Sequence, residues 1–362
     1  NKIVILTATS GDTGKAAMAG FADVEGTQII VFYPKNGVSK VQELQMVTQK
    51  GSNVDVVAIH GNFDNAQSGV KAMFEDKELA EELAGKGYQF SSANSINIGR
   101  LVPQVVYYVY AYAKLLENEE LANGEELQVV VPTGNFGNIL AAYYAKQMGV
   151  PIGKLICASN ENKVLFDFFQ TGTYDKNREF VLTTSPSMDI LISSNLERLI
   201  YVIAGEDSDK TKELMEALKK DGTYTVSEDM KAKLSDFAAG YATEDETAEQ
   251  IHDVYDKTGY VMDTHTAVAS YVCSRYEQSE KTGKKYLIAS TASPYKFVKS
   301  VMTAIDAKYA EEDEFALLPK LQELSQVDMP QAIKDILDAN VLHNIECDVD
   351  QMEETVKQIL NR

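Results

Sequence analysis

Short apolar runs along the chain alternate with longer segments in which apolar and polar positions recur at helical spacing. The runs at residues 3–6, 28–33 and 54–59 predict buried strands, and the segments 39–50 and 62–75 predict helices. Because strands that alternate with helices build parallel sheets with both faces covered, the pattern indicates an α/β architecture.

The stretch 127–150 gives the clearest strand–loop–helix unit. It reads as an apolar run around 129–131, a polar loop at 133–138 and a helical segment at about 139–148. A glycine-containing loop at a helix N-terminus directs backbone N–H groups and the positive end of the helix dipole at one point. The loop therefore predicts an anion site, with Asn135 and Asn138 as further donors, although an ordinary strand-to-helix turn fits the same pattern. It is neither GxGxxG nor GxxxxGK[ST], which argues against a dinucleotide or nucleoside triphosphate.

A second loop of this kind, TATSGDTG at 7–14, follows the first strand and precedes a helix rich in small residues. Backbone N–H groups and the hydroxyls of Thr9, Ser10 and Thr13 suit a carboxylate or a phosphate. Ligands of open α/β sheets lie at the carboxyl ends of strands, where both loops are expected. Two such loops on one sheet indicate an anionic ligand more strongly than one does.

Later segments add candidate polar residues and suggest the organisation of the rest of the chain. Arg100 lies on a helix that is otherwise apolar, where it either extends to solvent or binds a ligand. The charged segment 205–257 predicts an inserted helical region, and the acidic tail beyond 306 predicts peripheral helices.

Composition and charge narrow the function classes. The 362 residues carry a net charge of −20, which argues against nucleic acid and anionic membranes as partners. The three cysteines are isolated, without CxxC, which indicates a reducing compartment, and we expect a cytoplasmic protein. The four histidines lack metal-ligand spacing, and no apolar run reaches membrane-spanning length.

The chain opens at Asn1 and enters its first strand at once. A natural domain seldom begins so abruptly, so we expect a fragment whose upstream part is missing.

Six ordered blocks together resemble threonine synthase, a fold-type II enzyme that depends on pyridoxal phosphate. The blocks are TATSGDTGKAA (7–17), SSANSINIGRLVPQ (91–104), PTGNFGNILAAYYAKQMG (132–149), SPSMDILISSNLERL (185–199), GYVMDTHTAVA (259–269) and STASPYKF (290–297). The resemblance implies an α/β, tryptophan synthase β-like fold of parallel sheets flanked by helices. We expect a smaller domain at 1–95, a larger cofactor-binding domain at 96–310 with the insert at 205–257, and peripheral helices at 311–362.

The resemblance also implies roles for individual residues. The phosphate of the cofactor would be held by Gly134, Asn135, Phe136, Gly137 and Asn138, and its pyridine nitrogen by Thr291. The α-carboxylate of the substrate would be held by Ser10, Gly11, Asp12 and Thr13. The substrate side would be lined by Asn94, Ser95, Asn97 and Arg100, with weaker phosphate candidates in Lys163, Ser194, Asn195 and Arg198.

The implied reaction converts O-phospho-L-homoserine and water to L-threonine and phosphate, with the carbanion chemistry supplied by the cofactor. The substrate would be the partner; no nucleic acid or membrane is expected, and a homodimer stays open. The family's Schiff-base lysine lies in a segment resembling PTLAFKD, which does not occur here, and Lys296 is not its counterpart. We therefore expect this chain alone to be inactive. Two smaller departures are Thr264, where the family has proline, and Ser293, where it often has histidine.

Two alternatives remain open. One is another fold-type II lyase, such as a threonine dehydratase, although the GNFGN loop and the charged insert argue against it. The other is a non-catalytic homologue that binds a phospho-ligand. His265 is interpreted as a structural helix cap and is not assigned to catalysis.

Overall fold

The computed structural model describes residues 2–94 and 97–361. The chain divides into two compact units, each with its own parallel sheet. Unit 1 comprises Asn1–Asn97, Tyr295–Met302 and Lys308–Arg362, and unit 2 comprises Ile98–Pro294 and Thr303–Ala307.

The secondary structure alternates between strands and helices through most of the chain. The strands are β1 (Lys2–Ala8), β2 (Thr27–Pro34), β3 (Val54–His60), β4 (Tyr88–Ser92), β5 (Leu127–Pro132), β6 (Ile152–Ser159), β7 (Thr173–Asp175), β8 (Thr223–Thr225), β9 (Phe237–Tyr241), β10 (Tyr286–Ile288) and β11 (Ile345–Asp348). The helices are α1 (Asp12–Phe21), α2 (Lys40–Val47), α3 (Phe63–Glu75), α4 (Lys77–Gly85), α5 (Ile98–Leu101), α6 (Val105–Glu117), α7 (Gly137–Gln147), α8 (Val164–Thr171), α9 (Leu196–Ile203), α10 (Ser208–Asp221), α11 (Glu228–Ala232), α12 (Glu244–Thr258), α13 (Thr264–Glu280), α14 (Val298–Ile305), α15 (Glu314–Ser325), α16 (Gln331–Leu337) and α17 (Met352–Leu360).

The sheet of unit 1 has the strand order β11–β3–β2–β1–β4, and all its pairings are parallel. The predicted strands at 3–6, 28–33 and 54–59 are its three central members. The predicted helices at 39–50 and 62–75 form α2 and α3. Ser39 and Asn62 start them with capping boxes, in which side chain and backbone satisfy each other's donors.

The C-terminal segment of unit 1 differs from the expectation of peripheral helices alone. Strand β11 joins the sheet beside β3, with Cys347 opposite Ile59. The strand has only four residues and two of them are acidic, Glu346 and Asp348. An edge strand needs only one apolar face, so its sequence gives little signal.

The sheet of unit 2 has the order β10–β5–β6–β9, again with parallel pairings, and β7 and β8 form a separate antiparallel pair. Helix α13 packs on this sheet, where Val130, Ile156 and Val268 share one apolar cluster. The region 205–257 is not purely helical as predicted, because β9 pairs with β6. The sequence of β9, FAAGY, contains no β-branched residue, so local preference did not indicate a strand.

None of the helices in the described ranges has both the length and the apolar character that crossing a bilayer requires.

Candidate cofactor and substrate sites

The loop 133–136 lies at the carboxyl end of β5, which is flanked in the sheet of unit 2 by β10 and β6. The predicted strand–loop–helix unit is therefore confirmed, with α7 beginning at Gly137. A central position between two parallel neighbours places the loop at the sheet edge where ligands of such folds bind.

Gly134 is in close contact with another backbone segment. A Cβ atom at this position would lie 2.4 Å from the carbonyl oxygen of Ser187 and 3.3 Å from the Cα atom of Met188. On the loop itself, the hydroxyl of Ser193 donates to the carbonyl oxygen of Gly134 at 2.7 Å. The position therefore requires glycine for space, and its carbonyl group already has a protein partner.

Asn135 is held by residues at the start of α9. Its carbonyl oxygen accepts from the backbone N–H of Asn195 at 3.1 Å and from the side-chain amide of Asn195 at 3.0 Å. Its side-chain oxygen accepts from the hydroxyl of Ser194 at 3.2 Å. These bonds turn the loop carbonyls toward the protein.

Phe136 has a left-handed backbone, with φ 63° and ψ 1°. This conformation costs a residue other than glycine about 1–3 kcal/mol. Its ring is 1% exposed and packs against Phe169 at 6.1 Å and Phe237 at 5.9 Å between ring centroids. Burial of the ring offsets the backbone cost, so Phe136 shapes the loop from the core and offers only its backbone to a ligand.

Gly137 and Asn138 form the first turn of α7, and the side chain of the N-cap residue Phe136 makes no cap hydrogen bond. The first N–H groups of a helix have no intrahelical acceptors, and the helix dipole favours an anion beside them. The side chain of Asn138, in contrast, bonds to protein. It accepts from the hydroxyl of Tyr108 and donates to Gln104 at 3.1 Å. The prediction that this side chain supplies donors to a ligand therefore has to be narrowed to its backbone N–H.

Thr291 follows β10, whose Ile288 pairs with Val130 of β5. The backbone N–H of Ala289 also donates to the carbonyl oxygen of Val130 at 2.9 Å. Thr291 is exposed and lies past the end of the strand next to the loop at 133–136. Its hydroxyl is accessible at the same carboxyl edge of the sheet.

The loop between β1 and α1 follows a strand of the sheet of unit 1, whereas the loop at 133–136 follows a strand of the sheet of unit 2, so the expectation that both lie on one sheet is wrong. The loop of unit 1 also differs from the expectation in the bonds that Thr9 makes. The Thr9 side chain is fully buried, and its hydroxyl accepts from the N–H of Gly11 at 2.9 Å and of Gly14 at 2.8 Å. Gly11 has a φ of 126°, which favours glycine. Two of the N–H groups expected to face a ligand are therefore engaged by Thr9, which shapes the loop and is no donor to a ligand.

Replacing Thr9 with valine is expected to lower the free energy of unfolding by about 2 kcal/mol, because two buried N–H groups lose their acceptor without a change in volume. Thr9→Ser keeps the hydroxyl and serves as the matched control. Urea unfolding of both variants measures the effect. Equal stability of the valine variant and wild type would contradict the assignment of Thr9 as the organiser of this loop.

Asp12 directs its carboxylate to protein partners in unit 1. The ammonium of Lys296 lies 2.6 Å from Asp12 Oδ1, and the side chain of Gln42 donates to the same oxygen at 3.1 Å. Asp12 begins α1 and is partly buried, as are its neighbours Ser10 and Thr13. Its carboxylate is engaged, however, which leaves its backbone for an anionic ligand.

The side chain of Asn94 also bonds to the protein backbone. Its side chain accepts from the N–H of Ala8 at 2.9 Å and donates to the carbonyl of Ala8 at 2.7 Å. These two hydrogen bonds to Ala8, the last residue of β1, hold the start of the loop that follows. Asn97 donates to the carbonyl of Ser92 at 3.0 Å, and Ser95 lies outside the described residues.

Arg100 belongs to the short helix α5 of unit 2 and is partly buried. Burial lowers the pKa of its guanidinium, which means that its positive charge is poorly solvated. An anion beside it would be stabilised by the same lack of solvent.

The weaker phosphate candidates are engaged with protein groups. The side chain of Asn195 donates to Asn135 and accepts from Arg198 Nε at 3.1 Å, so these residues support the loop at 133–136. Lys163 pairs with Asp167 at 2.9 Å and lies over the rings of Phe166 and Tyr241. The described residues contain no group of three or more His, Cys, Asp or Glu side chains suited to a metal ion.

Sequence reasoning missed the residues that support the loop at 133–136. Asn138 is bound by Tyr108 of α6 and by Gln104, which directly precedes that helix. Ser193 binds Gly134, and Ser187 packs against Gly134. Ser187 and Ser193 stand within one of the six blocks quoted above, which was the available signal. Their contacts cross about fifty residues or more of chain, so no local pattern reveals them.

Comparison with known proteins gives the class first. The family model "Pyridoxal-phosphate dependent enzyme" matches residues 1–292. The chain belongs to this class, its cofactor is pyridoxal phosphate, and the predicted fold-type II architecture is confirmed.

Within the class, the chain belongs to the threonine synthase family. The model "Threonine synthase, C-terminal" matches residues 266–346. A crystal structure of PLP-bound threonine synthase from Brucella melitensis is 36% identical, with a TM-score of 0.80 over 99% of this chain and 71% of that one. Threonine synthase of Saccharomyces cerevisiae is 36% identical over 90% of this chain and 65% of its own. Human threonine synthase-like 1 is 42% identical over 85% of this chain but only 42% of its own length. The chain thus spans less than half the length of the threonine synthase-like 1 proteins.

The loop at 133–138 fits the phosphate of this cofactor. The carbonyl groups of Gly134 and Asn135 are bound by Ser193 and Asn195, which removes their negative partial charges from the ligand side. The first turn of α7 has backbone N–H groups that would suit a phosphate.

Proposed function

We propose that the protein converts O-phospho-L-homoserine and water to L-threonine and phosphate. The observation that carries this proposal is the loop at 133–138, with bound carbonyls and a helix start whose N-cap side chain makes no cap hydrogen bond, in a chain that is 36% identical to threonine synthases. Because the chain spans only part of these relatives, the activity of the whole protein is inferred from their likeness.

In this proposal, the N–H groups at the start of α7 bind the cofactor phosphate, and Thr291 donates its hydroxyl hydrogen to the pyridine nitrogen. A neutral donor there leaves that nitrogen without a proton. When bound, pyridoxal phosphate supplies the conjugated ring that stabilises negative charge on the carbon atoms of the amino acid. The exposed position of Thr291 and the geometry of α7 support these two assignments.

The substrate is anionic at both ends, and the chain offers anion sites of two kinds. We assign the α-carboxylate to the backbone N–H groups of Ser10, Asp12 and Thr13 and the hydroxyls of Ser10 and Thr13, with Gly11 shaping the loop between them. Arg100, partly buried with a lowered guanidinium pKa, binds an anionic group of the substrate. Asn94 and Asn97 act by holding the backbone near these groups.

The full-length protein, loaded with pyridoxal phosphate and given O-phospho-L-homoserine, tests the proposal. Equal amounts of phosphate and L-threonine are expected, measured by a phosphate assay and by amino-acid chromatography. Phosphate released together with 2-oxobutanoate and ammonia would overturn the proposal in favour of a dehydratase-like lyase, in which water hydrolyses the imine left by elimination and does not add to the β carbon. Cofactor binding without any product would overturn it in favour of a non-catalytic homologue.

A further inference from the structure

The N-terminus of α13 carries a buried carboxylate with an unusual set of partners. Asp263, 1% exposed, is the N-cap residue of α13 and accepts from the backbone N–H groups of His265 at 2.8 Å and Thr266 at 3.3 Å. Its side chain also bonds to the side chains of the same two residues. A helix cap needs only the backbone bonds, so the side-chain bonds require another explanation.

The first side-chain bond leads toward the loop at 133–138. His265 Nδ1 lies 3.1 Å from Asp263 Oδ1, and His265 Nε2 accepts from the backbone N–H of Ser187 at 3.3 Å. Since Nε2 is the acceptor, the ring hydrogen is on Nδ1 and is donated to Asp263. The carbonyl of Ser187 is the group that packs against Gly134. The imidazole thus fixes the peptide segment on which the loop rests.

The second side-chain bond leads toward Thr291. The hydroxyl of Thr266 donates to Asp263 Oδ2, and Thr266 Oγ1 lies 3.0 Å from the hydroxyl oxygen of Ser290. A threonine hydroxyl has a single hydrogen and a carboxylate has none to give, so Ser290 is the donor to Thr266. Ser290 directly precedes Thr291. The threonine hydroxyl thus fixes the backbone next to the residue proposed for the pyridine nitrogen.

Asp263 is held in its charged form. Burial, the largest single influence, would raise the pKa of its carboxyl group. The hydrogen bonds from His265 and from the hydroxyl of Thr266 outweigh burial and leave the pKa of Asp263 below its usual value. A charged acceptor keeps both side-chain bonds strong.

We propose that Asp263 is a positioning residue for both ends of the cofactor, acting through His265 on the phosphate end and through Thr266 on the pyridine end. The inference rests on the proposed assignment of the loop at 133–138 and of Thr291. None of the three side chains needs to touch the cofactor or the substrate. One carboxylate thus positions two loops relative to each other, although more than a hundred and fifty residues of chain separate them.

Matched variants distinguish the effects of the two side-chain bonds of Asp263, to His265 and to Thr266. Each variant of the chain is titrated with pyridoxal phosphate and, independently, with inorganic phosphate. His265→Asn keeps a donor to Asp263 and loses the acceptor for Ser187, whereas His265→Gln places an acceptor near the position of Nε2. His265→Asn is expected to weaken binding of both ligands about tenfold, which is the loss of one hydrogen bond of about 1.4 kcal/mol. His265→Gln keeps an acceptor for Ser187 but loses the donor to Asp263, so it is expected to weaken binding by an intermediate factor of about three.

Thr266→Val is expected to weaken pyridoxal phosphate binding about tenfold and to leave inorganic phosphate binding unchanged, because only the pyridine end is affected. Thr266→Ser keeps the hydroxyl and should restore the affinity. Thr247→Val is the control for stability alone, since the buried Thr247 hydroxyl of α12 donates to the carbonyl of Thr243, the N-cap of the same helix, at 2.8 Å.

Wild-type affinities in His265→Asn and Thr266→Val, with melting temperatures lowered as in Thr247→Val, would overturn the inference and leave Asp263 a helix cap. Failure of the wild-type chain to bind either ligand would instead overturn the proposed cofactor site, and the inference with it. Loss of phosphate binding in Thr266→Val as strong as in His265→Asn would refute the division into two ends.

Discussion

Replacing Gly134 with alanine is expected to lower the free energy of unfolding by about 3 kcal/mol and to weaken pyridoxal phosphate binding by about a hundredfold. The added Cβ would meet the backbone carbonyl of Ser187 at 2.4 Å. The peptide cannot move easily, because His265 binds the N–H of Ser187 and Met188 donates to Ser185 at 2.9 Å. The loop must therefore shift, and the start of α7 shifts with it.

Gly137→Ala is the matched control three residues away. A Cβ at Gly137 would have its nearest neighbour, the side-chain amide of Asn195, at 3.5 Å, which is ordinary contact. Urea unfolding of the chain without cofactor compares the two variants, and fluorescence titration measures the affinity for pyridoxal phosphate. A Gly134→Ala variant no less stable than Gly137→Ala would contradict the close packing of Ser187 on the loop.

The sequence predicted the parts of this site that depend on local pattern. Apolar runs and helix periodicity located β1, β2, β3 and β5, because buried parallel strands are continuously apolar. Glycine and asparagine between a strand and a helix marked the loop at 133–138 as an anion site.

The sequence could not show which polar groups of the loops would be used by the protein itself. Thr9 and Asn138 have side chains well suited to a ligand, yet both are engaged by neighbouring groups. The same donors and acceptors serve a ligand or the backbone equally well, and only the fold decides which lies closer. The strands β9 and β11 were missed for a similar reason, since their pairing depends on neighbours distant in the chain.

His265 shows where a local interpretation is wrong about a residue's role. Its position at the start of α13 predicted a structural cap, but the cap residue is Asp263, two positions earlier, and His265 donates its backbone N–H to that cap. The bond from Ser187 to its ring joins residues 78 positions apart. No spacing rule connects them, because the segment 183–189 has little regular structure and is held by side chains.

Asp189 is the main acceptor of that segment, and its removal is the second large effect expected. The carboxylate is 2% exposed and accepts from the N–H of Thr183 at 2.9 Å and its hydroxyl at 2.7 Å. It also accepts from the side chains of Asn160 at 2.8 Å and Asn162 at 3.0 Å. Asp189→Ala removes the acceptor of the Thr183 N–H and one acceptor of the Asn160 and Asn162 amides, all of them buried or partly buried. It is expected to cost about 4 kcal/mol of unfolding free energy, measured by urea unfolding.

Asp189→Asn separates the loss of shape from the loss of acceptors. The asparagine amide has one oxygen in place of two, so it can accept either from Asn160 and Asn162 or from the N–H of Thr183, and its NH₂ group then faces the other donors. An intermediate cost of about 2 kcal/mol is therefore expected. Asparagine and alanine variants of equal stability would contradict the hydrogen-bond account. They would mean that the segment is held by packing alone.

The wild type and Asp189→Asn should also differ in their dependence on pH. Burial raises the pKa of the Asp189 carboxyl group in the folded protein, and its hydrogen bonds offset this only in part. Between the unfolded pKa, about 4, and the higher folded value, the folded chain binds more protons than the unfolded chain. The stability of wild type relative to Asp189→Asn should therefore fall as the pH rises through this window and become constant above it. A relative stability that rises with pH would mean that donors to the carboxylate outweigh burial. The segment 183–189 would then be held by an Asp189 carboxylate whose charged form is stabilised by folding.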